Sequence, residues 1–194
     1  MASIVDTLQS QLGEEGIQAI SRRLGIDPAT AQQAVTGALP ILTGALAKNA
    51  ATPGGADALH QALDAHDGSL LERATEYLGQ GSTGDGEGIL GHLLGGHRSA
   101  AENGLAQATG VDAGTAGQVL AMLAPLVLGA LGRARNQQGL DPGSLAGVLQ
   151  AEHEQAASAA PAGVLGVLSG VLGSLGQGGG GGLLGSLGGL FGKR

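Results

Sequence analysis

The segment Leu24-Gly-Ile-Asp-Pro-Ala-Thr-Ala-Gln-Gln, continuing through Pro40 to Ala50, returns 85 residues later without a gap. The second copy reads Thr109-Gly-Val-Asp-Ala-Gly-Thr-Ala-Gly-Gln and continues through Pro125 to Arg135. Gly25/Gly110, Asp27/Asp112, Thr30/Thr115, Ala31/Ala116, Gln33/Gln118, Pro40/Pro125, Gly44/Gly129, Ala45/Ala130 and Leu46/Leu131 are identical. Self-similarity at this period points to two copies of one helical unit packed on each other. Neither copy carries a nucleophile, a base and an orienting group together.

The side chains available for a core narrow the reading further. Tyr77 and Phe191 are the only aromatic residues, and Gly makes up 39 of 194 positions, against an average near 7%. The interior must therefore be Leu, Val, Ile and Ala on thin helices in close approach. The net charge is −7, and the nine Lys and Arg form no basic stripe. Nucleic acid is thereby disfavoured as a partner, because phosphate neutralisation dominates such affinity. Without cysteine there is no disulfide framework and no thiolate chemistry. The opening Met-Ala-Ser-Ile-Val-Asp lacks the basic and apolar regions of a secretory signal, so a cytoplasmic location is expected.

Helix punctuation is dense and no alternating β-branched run with hairpin signals occurs, so the expected class is all-α. Asp27-Pro28, Thr52-Pro53 and Asp141-Pro142 place a capping residue before a first-turn proline. Ser3 with Asp6, Ser69 with Glu72 and Ser99 with Glu102 resemble capping boxes. Gly25, Gly79 and Gly110 suit left-handed helix ends. Helices are expected over 3–12, 14–24, 28–50, 53–65, 69–79, 88–95, 98–108, 113–136 and 142–157. Residues 1–160 then form a multihelical domain of two pseudo-repeated units, 3–79 and 88–157, joined by a Gly-rich loop at 80–87. The long helices 28–50 and 113–136 each carry a central proline, where a kink is expected. Residues 113–132 are uncharged and long enough to span a bilayer. The equivalent stretch from Thr30 to Pro40 is too polar to span, which favours a buried core helix for both.

Residues 161–194 form a Gly/Leu-rich tail in which Gly occupies 14 of the 34 positions. Val164, Val167, Leu168, Val171, Leu172 and Leu175 fall at helical spacing. Leu183, Leu184, Leu187, Leu190 and Phe191 form a second apolar set beyond the Gly178–Gly182 joint. Each glycine disfavours helix by about 1 kcal/mol relative to Ala, so the tail is expected to order only when its stripe is buried on a surface. These eleven residues are the candidate self-association set, by helix-in-groove docking.

Chemistry-bearing motifs are sparse. Gly86-Glu-Gly88-Ile-Leu-Gly91 matches a dinucleotide fingerprint in letters only, since a polar loop and not a strand precedes it. His60, Asp64 and Asp57 share a helical face, with His66 and Asp67 nearby. That face is either a solvated polar surface or a set of imidazole and carboxylate ligands suited to zinc or a similar ion. No serine stands in a nucleophile elbow, and no carboxylates converge. The expectation is therefore no catalytic residue, no cofactor and no resident metal.

The run Gly88-Ile-Leu-Gly-His-Leu-Leu-Gly-Gly-His97, followed by Thr109-Gly-Val-Asp and Leu120-Ala-Met-Leu-Ala-Pro-Leu-Val-Leu-Gly-Ala-Leu131, resembles the bacterial domain-of-unknown-function family 937 (DUF937), which includes YidB-like proteins. The ending Gly181-Gly-Leu-Leu-Gly-Ser-Leu-Gly-Gly-Leu-Phe-Gly is also similar to endings in that family. The resemblance implies a multihelical bacterial protein and supplies no activity. Gly185-Ser-Leu-Gly188 with Leu190 and Lys193-Arg194 is similar to the C-terminal loading peptides of encapsulin cargo proteins. The chain thus reads as a non-enzymatic structural or interaction protein, a homo-oligomer self-associating through apolar helices and the tail. Peripheral membrane or compartment-shell association through the tail is one alternative, and a metal-binding protein or enzyme using His60, Asp64 and His66 is another.

Overall fold

The structure is a computed structural model and describes residues 3–80 and 83–159. It is all-α, and no strand occurs among the described residues. The helices are α1 (Ile4–Leu24), α2 (Pro28–Ala50), α3 (Gly55–Ala62), α4 (Ala74–Gln80), α5 (Gly84–Leu94), α6 (Arg98–Thr109), α7 (Ala113–Gln138) and α8 (Pro142–Ala159). Short 3-10 segments lie at Leu63–Ala65, Ser69–Arg73 and Gly95–His97.

The capping chemistry explains where the long helices begin. The Asp27 carboxylate accepts the Thr30 N–H at 3.0 Å, and Asp112 accepts the Thr115 N–H at 2.9 Å. Both helices thus start with an aspartate satisfying a first-turn donor that has no partner within the helix. Asp141 does the same for α8 through the Ser144 N–H at 2.7 Å. Gly25 and Gly110 close the preceding helices in the left-handed conformation, at φ 67° and 78°. Within α1 the chain breaks at Gly13, with φ 49° and ψ −165°, so the expected pair 3–12 and 14–24 forms two stretches across a kink.

Several expected boundaries move. Gly54 at φ 75°, not Thr52, precedes α3. Ser69 and Ser99 lie inside their helices, behind Gly68 and His97, and make no cap at either start. Gly79 continues α4. The second half of the chain starts earlier than expected, at Gly84 instead of residue 88.

The core is aliphatic throughout. Leu39, Leu42 and Leu46 from α2 and Leu120, Leu123 and Leu131 from α7 are buried with Leu8, Ile20, Leu90 and Leu105. α7 packs on α1, α2, α5 and α6. It is the one described helix long and apolar enough to cross a membrane, and most of that stretch is buried inside this structure. α2 and α7 run through their prolines as single helices. A proline cannot donate to the carbonyl four residues before it, which leaves Ala121 of α7 without its usual helical partner. Gly86 of α5 sits against that carbonyl: a Cβ on Gly86 would stand 1.8 Å from the Ala121 oxygen.

The three capping aspartates also link stability to pH. Hydrogen bonds from the Thr30 hydroxyl and then its N–H hold Asp27 below the usual carboxylate range. Thr115 acts likewise on Asp112, and the Ser144 N–H leads for Asp141. A folded-state pKa below the unfolded value, about 3.9, contributes stability that is present above that value. It is lost as pH falls through the lower folded pKa. Urea midpoints should therefore drop more steeply below about pH 4 for the native chain than for an Asp27→Asn/Asp112→Asn variant, since asparagine caps without titrating.

Candidate functional site: an apolar groove at the end of α2

The main concavity grows out of a tightly specified turn. Asn49, near the end of α2, donates through Nδ2 to the Ala45 carbonyl at 2.9 Å and to the Leu93 carbonyl at 3.0 Å. The second bond ties α2 to the end of α5. The chain then reverses through Thr52-Pro53-Gly54, and Thr52 Oγ1 donates to the Asn49 carbonyl at 2.7 Å. A Cβ on Gly55 would lie 1.9 Å from that same carbonyl oxygen, so only glycine lets α3 leave the turn at this angle.

α3 has an apolar edge of Ala58, Leu59 and Ala62, yet none of its residues is buried. This edge faces Leu46 of α2, Ile89 and Leu93 of α5, and Leu128 of α7 across a groove of about 560 Å³. Ile89, His92 and Leu93 are three and four apart, so one face of α5 forms the wall. Asn49, Thr52, His66 and His92 supply the polar groups, and no Asp, Glu, Lys or Arg lines the groove. The volume falls in the range of ligand and peptide sites. With no carboxylate, lysine or arginine in a mainly aliphatic lining, the groove is suited to holding aliphatic side chains.

The candidate metal face is dispersed. The His60 ring nitrogen Nε2 contacts the Leu140 carbonyl at 3.1 Å, and Asp64 is ion-paired to Arg135 at 2.8 Å. His66 stands on the groove rim, its carbonyl packed against Gly132, where a Cβ would come within 1.8 Å. Among the described residues, no group of three or more His, Asp or Glu stands close enough to hold a metal ion. The residues 86–91 that match the dinucleotide fingerprint lie within α5, with no strand before them. The tail set Val164, Val167, Leu168, Val171, Leu172, Leu175, Leu183, Leu184, Leu187, Leu190 and Phe191 lies outside the described residues.

The groove itself had no signal as a site in the sequence. Its walls come from three separated stretches, within 46–66, 89–93 and at Leu128, each of which reads as ordinary core or helix edge.

The family model for a bacterial protein of unknown function (DUF937) matches residues 6–134. The chain belongs to that family. Every residue lining the groove, from Leu46 to Leu128, lies within the matched span, whereas α8 and residues 160–194 follow it. No curated protein and no solved structure matches the chain.

Proposed function

We propose that this member of the family is a non-enzymatic interaction protein that self-associates, the groove of one copy receiving the Val/Leu stripe of another copy's tail. The observation that carries this reading is the mainly aliphatic groove without carboxylate, lysine or arginine, matched by a 35-residue segment after α8 that is rich in aliphatic residues at helical spacing. No Asp, Glu, Lys or Arg occurs from Gln155 to Gly192 or in the groove lining, so contact would bury none of these charges.

The course of α8 favours exchange between copies. His60 of α3 meets Leu140 just before α8, and the His153 ring lies against the Pro40 carbonyl in the middle of α2. α8 therefore starts near the groove and runs back along α2, away from it. From Pro40 to Asn49 alone is roughly 14 Å of helix, and α8 continues past His153 in the opposite direction. The chain leaves α8 pointing away from its own groove, and a second copy's groove carries no such constraint. A head-to-tail contact of this kind closes into a ring or propagates. Burial of the anchors and the ordering of a Gly-rich backbone are opposing terms of similar size, so assembly should depend on concentration.

Light scattering across a concentration series tests the proposal. The full chain should grow in mass with concentration. A version ending at Ala160, and full-length Leu168→Asp/Leu172→Asp and Ile89→Asp variants, should stay monomeric with unchanged helical circular dichroism. A full chain that remains monomeric throughout, or a truncated one that assembles equally well, overturns it. Liposome flotation of such a monomer then addresses the peripheral-membrane alternative.

A further inference from the structure

A second cavity lies at the other side of the core, where α8 diverges from α7. α8 packs mainly on α2 and α3, which leaves a cleft of about 340 Å³ between α7 and α8, with the start of α1 also lining it. Three helices present same-face residues to it: Ala130, Arg133, Ala134 and Gln137 of α7, Ile4 and Thr7 of α1, and Val148 and Glu152 of α8. The cleft is open because α7 offers two alanines here, where leucines fill the neighbouring core.

Its charges are arranged unlike those of the groove. Glu152 is only 8% exposed. Its Oε2 accepts from the Ser3 hydroxyl at 2.6 Å and from the Val5 N–H at 3.3 Å, which fixes the carboxylate at the start of α1. Both bonds use the same oxygen. Among the described residues neither Glu152 nor Arg133 has an ion pair. The Val5 N–H is a first-turn donor of α1, so the carboxylate also caps that helix at its positive end, through one of its two oxygens. The Arg133 stem is held from behind by Gly68, where a Cβ would meet the Arg133 Cβ at 2.8 Å. One cavity is thus lined by a carboxylate fixed through one oxygen, by Arg133, and by an apolar wall of Ile4, Ala130, Ala134 and Val148.

We propose that this cleft binds a free aliphatic α-amino acid as its zwitterion. Glu152 receives the ammonium, Arg133 the carboxylate, and the apolar wall the side chain. The cavity volume lies within the range of small-molecule sites. A guanidinium is the cation suited to grip a carboxylate through two parallel hydrogen bonds. The site is separate from the groove and does not depend on self-association.

Isothermal titration of the full-length protein with leucine tests it, beside leucinamide, which lacks the carboxylate, and 4-methylpentanoate, which lacks the ammonium. Leucine is expected to bind, with each single-charge analogue at least about tenfold weaker, since each loses a charge-assisted hydrogen bond. Arg133→Gln should weaken leucine by a similar factor and leave leucinamide unchanged. Glu152→Gln should weaken leucine and leave 4-methylpentanoate unchanged. Should Glu152→Gln loosen α1, Arg133→Gln, at a partly exposed position, decides alone. No binding of leucine up to millimolar concentration overturns the proposal, as does equal affinity for leucine and leucinamide, or an Arg133→Gln variant that binds leucine normally.

Discussion

Gly86→Ala is expected to destabilise the protein by about 3 kcal/mol, the upper part of the range for overpacking a filled interior. The added methyl would lie 1.8 Å from the Ala121 carbonyl oxygen and 2.7 Å from its carbon. Both are backbone atoms of the central helix and cannot swing aside as a flexible side chain would. Alanine is intrinsically better in helix than glycine by about 1 kcal/mol, so the clash must first cancel that gain. Gly132→Ala should behave alike, because its methyl would meet the His66 carbonyl oxygen at 1.8 Å. The control is in the same helix as Gly86. Gly88 and Gly91 have no neighbouring atom within 4 Å of an added methyl, so Gly88→Ala and Gly91→Ala should stabilise by roughly 0.5–1 kcal/mol. Urea denaturation of the four variants gives the signs directly. If all four stabilise, helix propensity alone governs these glycines and the close approach of α5 to α7 is not tight.

The same glycines mark where the sequence was readable and where it was not. The span 28–50 expected for the first long helix is the observed α2, and 113–136 falls two residues short of the observed α7. Both readings rested on an aspartate cap and a left-handed glycine, whose geometry depends on a few consecutive residues. Gly13 likewise announced its break locally, with φ 49°. Gly86 does not: its neighbours suggest a loop and a fortuitous fingerprint, and it lies inside α5. Its reason is across the core, in a carbonyl that Pro125 leaves without a helical donor. Nothing within the segment 80–87 encodes that contact. The groove and the α7–α8 cleft escaped for the same reason, since each is completed by a helix distant in sequence: α5 and α7 close the groove beside α2 and α3, and α1 closes the cleft beside α7 and α8. Glu152 illustrates the limit well. In sequence it belongs to a charged run, Glu152-His-Glu154, of the sort expected on a solvated helix face. In the fold it is buried, because α8 lies where residue 152 meets the Ser3 hydroxyl.

In the chain ending at Ala160, Leu131→Ala is expected to cost about 3–4 kcal/mol, and its counterpart Leu46→Ala about 2, although both leucines are almost wholly buried. The two occupy identical places in the internal repeat, at the same distance from Pro125 and Pro40. Each loses the same transfer free energy on truncation. They differ in what surrounds the space left behind. Leu131 does not line the groove, and its removal leaves a void within the aliphatic interior, so the cavity adds its own penalty in proportion to the volume that fails to collapse. Leu46 lines the groove, and its removal enlarges a space already open to solvent, where the penalty for an enclosed void largely disappears. Among the described residues, the buried core contains no aromatic side chain. Chemical denaturation of both variants, in the full chain and in one ending at Ala160, turns this difference into a readout of groove occupancy. An empty groove keeps Leu46→Ala the milder change in both backgrounds. A groove filled by a tail makes the two substitutions equally severe in the full chain, because the space beside Leu46 is then enclosed. The difference should reappear on truncation and on dilution, since a tail supplied by another copy leaves as the protein is diluted, whereas one held within the same chain does not.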